Sequence, residues 1–487
     1  MKTVVIGSGF GGIASALRMR AKGHEVTLIE KLDQVGGRAQ QFKRDNYLHD
    51  AGPTVITAPN LFYELFELFN EKLEDYLEFK PLDPWYRFYF VNGFEFDYVP
   101  DREKMLNQIE SINLSDVDGY NRMLKRAQEI FEIGYLKLAD QPFHKLSTMI
   151  RYAPDILRLK GYQSVYQFVS TYLKDENLRQ VFSIQPLLVG GNPFQTSSIY
   201  ALIHALEQKW GIYFAMGGMG KVVHELKNLM IRQGVEIKTN HEVEKFETTV
   251  NSISNIIIKN KPSIKPDIVI SNADPITVNN NFLGKQKISL QNRFLKKYAK
   301  HSMGLFVLFF GTKAKYNKVA HHTIWMGPRY RELLNDIFNK KILAEDFSIY
   351  LHRPTATDET FAIKGSDSFY ALVPVPNLQA SIPWEEIKID YAKKIVKALS
   401  KTIMPNLENV IDDLFVMTPE NFKDSYMTPH GSGFSIAPIL SQSAWFRTHN
   451  KDDYYKNLFY VGAGTHPGAG VPGVLNSAKV VERIIHG

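Results

Sequence analysis

"KTVVIGSGFGGIASALRMRAKGHEVTLIEK", Lys2 to Lys31, is the stretch on which the fold turns. A β-branched run leads into Gly7, Gly9 and Gly12. Apolar residues then recur at helical spacing (Ile13, Leu17, Met19), and the chain returns to a strand-like "EVTLIE". This order predicts one strand–helix–strand unit. In such a unit Gly7 makes the tight turn, Gly9 lets backbone approach a pyrophosphate, and Gly12 lets helix and strand pack closely. Phosphate oxygens then meet free N–H groups at the helix start. Glu30 ends the second strand, where a carboxylate accepts hydrogen bonds from ribose hydroxyls. The glycine triplet alone says little; triplet, strand context and terminal acid together predict a dinucleotide site.

Six residues after Glu30 come Gly36, Gly37 and Arg38, where bare backbone and a guanidinium can approach a diphosphate. Near the other end, "NLFYVGAGTHPGAGVPGVLNSAKVV" (Asn457 to Val481) puts Gly462, Gly464, Gly468, Gly470 and Gly473 into twelve residues, between a strand signal and a helix signal.

Composition narrows the classes. The chain has 487 residues, 44% of them hydrophobic, so it can bury sizeable cores in two or three domains. Its 58 Lys and Arg against 51 Asp and Glu give a charge of +7 with no basic run, so no nucleic-acid partner is expected. Cysteine is absent, which excludes disulfides and thiolate chemistry. Met1-Lys2 runs straight into a strand without a signal-peptide pattern, so a cytoplasmic location is expected. The most apolar run, "GLFVLFFG" (Gly304 to Gly311), is too short to span a bilayer and predicts a buried strand.

Between the two ends, the region from Pro59 to Trp210 is mostly helical in pattern. "GGMGKVVHELKNLMIRQGVEIKTN" reads as glycine turn, helix and strand, and "PDIVISNADP" as a buried strand. The expected fold class is α/β: a discontinuous Rossmann-type domain, a mixed-sheet substrate domain and a helical insertion. The boundaries are residues 1–58, 211–274 and 443–487 for the nucleotide domain. Residues 59–100 and 275–442 form the substrate-binding domain, and 101–210 the helical access subdomain.

"GSGFGG", "LIEK" and "VGGRAQ" together resemble the opening of the FAD-binding amine-oxidase and carotenoid-desaturase superfamily, which points to FAD over NAD. "DAGPTVIT" (Asp50 to Thr57), "LLVGGNPF", "SSIYALIHALE", "HHTIWMGPRYRELLNDIF", "HGSGFSIAP", "QSAWFR" and "GAGTHPGAGVPGVL" extend the resemblance, nearly end to end, to the bacterial-type phytoene desaturases. It departs mainly between Lys245 and Pro266, where a hairpin looks short. The resemblance implies an FAD-dependent, membrane-associated but not membrane-spanning enzyme that desaturates a C40 polyene such as phytoene. Hydride would pass to flavin N5, and oxygen or a membrane quinone would reoxidise the flavin. For FAD it implies Gly7, Gly9, Gly12, Glu30, Lys31, Gly37, Arg38, Gly52, Pro53, Thr54, Val243, Gly462, Gly464, Gly473 and Val474. Alternatives are desaturation of a C30 or later carotenoid (a hydroxycarotenoid 3,4-desaturase, for example), a flavin amine or porphyrinogen oxidase, and a non-enzymatic prenyl-lipid binder.

No residue is singled out as proton acceptor. His430 and His466 are either near the ring or hydrogen-bonded structural histidines, and Arg151 is either at a substrate entrance or on a solvated face. The basic and apolar segment Phe143 to Lys174 is either a membrane contact or a solvated helical face. His321-His322 suggests a metal, but neighbours on a strand point to opposite faces and no carboxylate cluster accompanies them, so none is expected.

Overall fold

The computed structural model describes all 487 residues. Strand Lys2–Ile6 runs parallel to Glu25–Ile29 with Val4 opposite Thr27, and helix Phe10–Ala21 connects them. The sheet grows on both sides from distant pieces of chain. Its order is Leu458–Tyr460, Ile268–Ser271, Lys2–Ile6, Glu25–Ile29, Glu236–Lys238, all parallel. A parallel sheet is covered on both faces, which is why these strands read as near-continuous apolar runs. One face carries helices Phe10–Ala21, Gly218–Arg232 and Val471–His486, meeting through Ile13, Leu17, Leu226 and Ala478. The other face, with Val4, Ile6 and Val269, is covered by the hairpin Val243–Thr248 and Ile253–Ile258.

Helix Asn60–Glu67 corrects the boundary drawn at residue 58. Leu61, Phe62, Leu65 and Phe66 bury into the same core as Leu17 and Val481, so this helix belongs with the nucleotide sheet. Apolar spacing announces a helix but not the surface it packs on. Arg18, 4% exposed, ties the arrangement together by pairing with Glu64 at 2.7 Å and Glu482 at 2.8 Å. One guanidinium thus links three helices that are far apart in sequence.

A second sheet has seven strands, ordered Ile411–Met417, Gly304–Thr312, Asp367–Val375, Ile349–His352, His322–Met326, Tyr86–Phe90, Glu95–Tyr98. All neighbours are antiparallel except His322–Met326 with Tyr86–Phe90. Every residue of Gly304–Thr312 is buried, as its unbroken apolar run predicts. Helix Trp384–Lys401 covers one face through Trp384, Ile395 and Leu399. The other face looks toward the helical insertion.

The insertion comprises helices Arg102–Ile112, Leu114–Phe131, Leu146–Arg158, Val165–Tyr172, Glu176–Ser183 and Leu202–Trp210. Asn113 caps the second of them, and Ser164 with Gln167 forms a capping box on the fourth. Tyr120, Met123 and Ile130 turn one face of the long helix inward against Phe182 and Val165. The third helix, Leu146–Arg158, buries no residue fully.

Candidate functional site

A cavity of about 590 Å³ runs from the nucleotide sheet into the helical insertion, a volume within the usual range for small-molecule sites. Gly7, Gly9, Glu30, Lys31, Gly37 and Arg38 line it from the first unit. Gly52, Pro53 and Thr54 follow, then Val243, and Gly462, Gly473 and Val474 from the carboxy-terminal stretch. The structure therefore brings together segments that begin and end the chain. Gly12 and Gly464 stand behind this lining. A Cβ on Gly12 would lie 2.0 Å from the Gly7 carbonyl oxygen, and one on Gly464 would lie 2.4 Å from Pro275 Cδ. Both serve the close packing of the loops that form the wall.

Two helices open onto the cavity with no side-chain cap. Gly9 precedes Phe10–Ala21 and Gly470 precedes Val471–His486, each leaving first-turn N–H groups free. Gly462 follows the last strand at φ +97°, a conformation that side chains rarely adopt, and a Cβ there would meet Asn272 Oδ1 at 2.7 Å. Gly473 is bare for a reason internal to the loop: its Cβ would lie 2.7 Å from the Gly468 carbonyl.

Glu30 is buried at the end of its strand. It accepts hydrogen bonds from Ser8 N at 2.8 Å, Ser8 Oγ at 2.6 Å and Leu32 N at 2.9 Å. These bonds fix its carboxylate at the cavity rim. The Arg38 Nε is buried without a partner. Burial lowers the Arg38 pKa while Asp274 and Tyr426 oppose the shift, and a guanidinium remains charged regardless. An unpaired cation, two uncapped helix starts and bare backbone around one cavity fit an anionic dinucleotide.

Behind this wall Asp50 anchors the turn into helix Gly218–Arg232. Its carboxylate accepts from Met219 N at 3.2 Å, Gly220 N at 3.4 Å and Gln41 Nε2 at 3.1 Å. Burial, opposed by those bonds, pushes its pKa up to about 7.

Farther in, the walls turn apolar, with Ile133, Leu187, Ile203 and Leu206 among the lining. A polar seam runs along one side. Tyr370 donates to the Gly52 carbonyl at 3.0 Å, Thr54 Oγ1 lies 2.8 Å from the Tyr350 hydroxyl, and Tyr350 lies 2.7 Å from His322 Nδ1. Tyr86 and Glu207 continue the lining without a hydrogen bond of good geometry to their polar side-chain atoms. Tyr350 and Tyr370 carry no motif of their own, and Glu207 closes the block "SSIYALIHALE" without being singled out there. The signal for Glu207 was a lone acid among the apolar residues of "YALIHALE".

His430, His466 and Arg151, left open by the sequence, separate. His466 lines the cavity, and burial lowers its pKa to about 4, so it is neutral at pH 7. His430 is exposed at φ +54° with its ring edge-on to His301, and Arg151 is exposed on helix Leu146–Arg158; neither lines the cavity.

His321 and His322 do not point apart as neighbours on one strand would. His321 lies just before the strand that starts at His322, and ligand-capable nitrogens of both and of His352 lie within 4.8 Å of one another. Burial first, then the neighbouring rings and Arg353, holds His321 well below the usual imidazole range; burial takes His322 to about 3. The group contains no carboxylate, and the Arg353 cation acts on His321.

A Rossmann-type half joined to a mixed-sheet half, with a cavity opening between two uncapped helix starts, defines a dinucleotide-binding protein. The chain belongs to the flavin containing amine oxidoreductase family, whose model matches residues 10–481. Its cofactor is FAD, and it is an oxidoreductase. The lycopene-forming phytoene desaturase of Pseudescherichia vulneris is 44% identical over 485 residues, covering 99% of each chain. The neurosporene-forming phytoene desaturase of Cereibacter sphaeroides is 38% identical, covering 99% of this chain and 94% of its own. Among solved structures, an oxidoreductase from Methanosarcina mazei superposes with a TM-score of 0.68 at 16% identity, covering 99% of this chain and 100% of its own. A putrescine oxidase gives 0.66 at 12% identity, covering 99% and 97%. These structures share the fold.

Proposed function

We propose that this chain desaturates phytoene, forming lycopene or a partly desaturated intermediate. The observation that carries this reading is one cavity that begins at glycine-rich backbone and continues between apolar walls into the helical insertion. Its relatives' activities support the substrate. Bound FAD supplies the two-electron acceptor that no side chain can be. Arg38 and the uncapped helix starts Phe10–Ala21 and Val471–His486 hold its anionic part, and Glu30 is placed for ribose hydroxyls. Ile133, Leu187, Ile203 and Leu206 hold an extended polyene and exclude water from the reacting carbons. Oxygen or a membrane quinone is the proposed terminal oxidant.

Substrate delivery adds a second element. No helix is long and apolar enough to cross a membrane. On helix Leu146–Arg158, however, Leu146, Ile150 and Leu157 form one stripe, exposed by 53%, 65% and 65%. Met149 and Ile156 on an adjoining face line the cavity. A second exposed stripe, Leu290, Phe294 and Tyr298, lies on helix Leu290–Tyr298 among Arg293, Lys296 and Lys297. Gln291 Nε2 ties this helix to the Trp445 and Arg447 carbonyls at 2.8 and 3.0 Å, beside the Ala444–Phe446 turn that packs on Leu146–Arg158. Apolar stripes edged with cations suit an anionic lipid surface. The proposed route takes the polyene from lipid past Met149 and Ile156.

The test is incubation of the protein with FAD and liposomes carrying phytoene, followed by separation of the carotenoids. Accumulating lycopene or a partly desaturated product supports the proposal. Unchanged phytoene beside conversion of a later carotenoid rejects it.

A further inference from the structure

Removing a hydride from one carbon leaves a proton to be taken from its neighbour. His466 lines the cavity as a neutral imidazole, but burial lowers its pKa to about 4 and makes it a weak base, and the carboxylates at the nucleotide end are engaged. Glu30 is committed to Ser8 and Leu32, and Asp274 accepts a short hydrogen bond from Ser435 as well as one from the Ile276 N–H. One carboxylate on the cavity wall differs. Glu207 sits on helix Leu202–Trp210, between the apolar lining residue Leu206 and the exit of the helix, and is fully buried. Neither carboxylate oxygen makes a hydrogen bond of good geometry, and the Tyr98 hydroxyl is the one polar side chain that favours its charged form. A buried carboxyl so poorly partnered is rare, because each unmade bond forfeits desolvation energy. Such groups concentrate where chemistry needs them.

The seam described above relates Glu207 to the cofactor end. Tyr86, another lining residue with an unpartnered hydroxyl, is close enough to have its ionisation opposed by Glu207, Tyr350 and Tyr370. Tyr350 and Tyr370 share Thr54, and Tyr370 donates to the Gly52 carbonyl. Glu207, Tyr86, Tyr350 and Thr54 all line the cavity, and Glu207 shares its helix with the apolar lining residues Ile203 and Leu206.

The geometry points to Glu207 as the group that accepts the substrate proton during desaturation. This rests on the functional reading above. In the balanced step, one C–H bond breaks as hydride and carries its electron pair to the oxidant, the bound FAD that the family supplies. The adjacent C–H bond breaks with its electron pair forming the new C=C bond, and its proton goes to a Glu207 oxygen, turning carboxylate into carboxylic acid. Water must then remove that proton before the next cycle. Burial pushes the Glu207 pKa up to about 8, opposed only by Tyr98, which makes the carboxylate a stronger base than one in water. The groups facing it are Tyr86 and Tyr98 from the second sheet and Tyr120 from the insertion, with His204 on its own helix. Desolvation raises the tyrosines and lowers His204 to about 4, so all four are neutral at pH 7. No basic side chain competes for its charge.

Glu207→Gln keeps the shape and removes the base. With FAD-loaded protein and phytoene liposomes, the expected result is a rate lowered about 10²- to 10⁴-fold. In wild type the rate should rise with pH through about 8 as the carboxylate forms; the variant should lose that limb. FAD absorbance and thermal midpoint report folding independently of turnover. The infrared carbonyl band of a protonated carboxylic acid, titrating near pH 8 in wild type, should be missing from the variant. Glu207→Asp should recover part of the rate and the limb. A Gln variant that keeps wild-type rate and limb overturns the assignment. If the Gln variant fails to hold FAD, the Asp variant decides: a lowered rate with a displaced limb supports the assignment, and an unchanged rate and limb overturns it. A wild-type protein that converts no C40 polyene overturns the functional reading and this assignment together.

Discussion

The two ends of the cavity are built from different material. At the nucleotide end the contacts come from backbone: helix starts at Phe10 and Val471, and loops held close by Gly12 and Gly462. At the far end they come from side chains of the insertion, such as Ile133, Ile203 and Leu206, with one buried acid among them. The difference teaches where each end is vulnerable. Backbone contacts fail when anything is added, whereas an apolar wall tolerates changes of shape and fails when its polarity changes.

The largest effect should come from adding atoms at the first end. Gly12→Val places a side chain into the Gly7 carbonyl, 2.0 Å from even a Cβ, and should abolish FAD retention, read as missing flavin absorbance in purified protein. Normal flavin content would break the comparison. A smaller effect is expected from Leu146, Ile150 and Leu157 changed together to Glu. Each buried aliphatic side chain is worth about 1.5 to 3 kcal/mol, so liposome binding in a flotation assay should weaken by about 10²-fold or more while FAD content stays constant. Arg38→Met removes charge-assisted hydrogen bonds worth about 1.5 to 3 kcal/mol, lowering FAD affinity about 10- to 100-fold in a fluorescence titration. The last prediction concerns Asp50, behind the wall, and bears on stability and not on binding. Its folded pKa of about 7 exceeds the ordinary aspartate value of 3.8, so the folded state holds the extra proton. The stability it contributes is complete below about pH 4 and lost as pH rises through about 7, with a slope of at most about 1.4 kcal/mol per unit. Asp50→Asn should flatten that part of a denaturant-measured stability profile.

The same contrast explains what was legible in the sequence. Gly7, Gly9, Glu30 and Arg38 follow one another within a single local unit, so spacing alone locates the nucleotide end. The closing strand and helix around Gly462 to Val474 were readable for the same reason. Helix Asn60–Glu67 was readable as a helix but not as part of the nucleotide core, because its partners Leu17 and Val481 are distant in sequence. The convergence of His321, His322 and His352 was invisible because His321 precedes its strand and His352 arrives from a neighbouring one. Glu207 and the stripe Leu290, Phe294, Tyr298 looked like ordinary helical residues; only tertiary burial distinguishes the first and only exposure the second.

The order of the first sheet also sets a timetable for synthesis. Strand Leu458–Tyr460 sits two places from Lys2–Ile6, yet roughly 450 residues are made between them, which takes on the order of half a minute to a minute and a half on a ribosome. Until then the first unit offers half a cradle, with the partner helix start still unmade. Cofactor loading is therefore a late event in the life of each molecule, and a nascent chain paused before Leu458 would remain colourless however much FAD surrounds it.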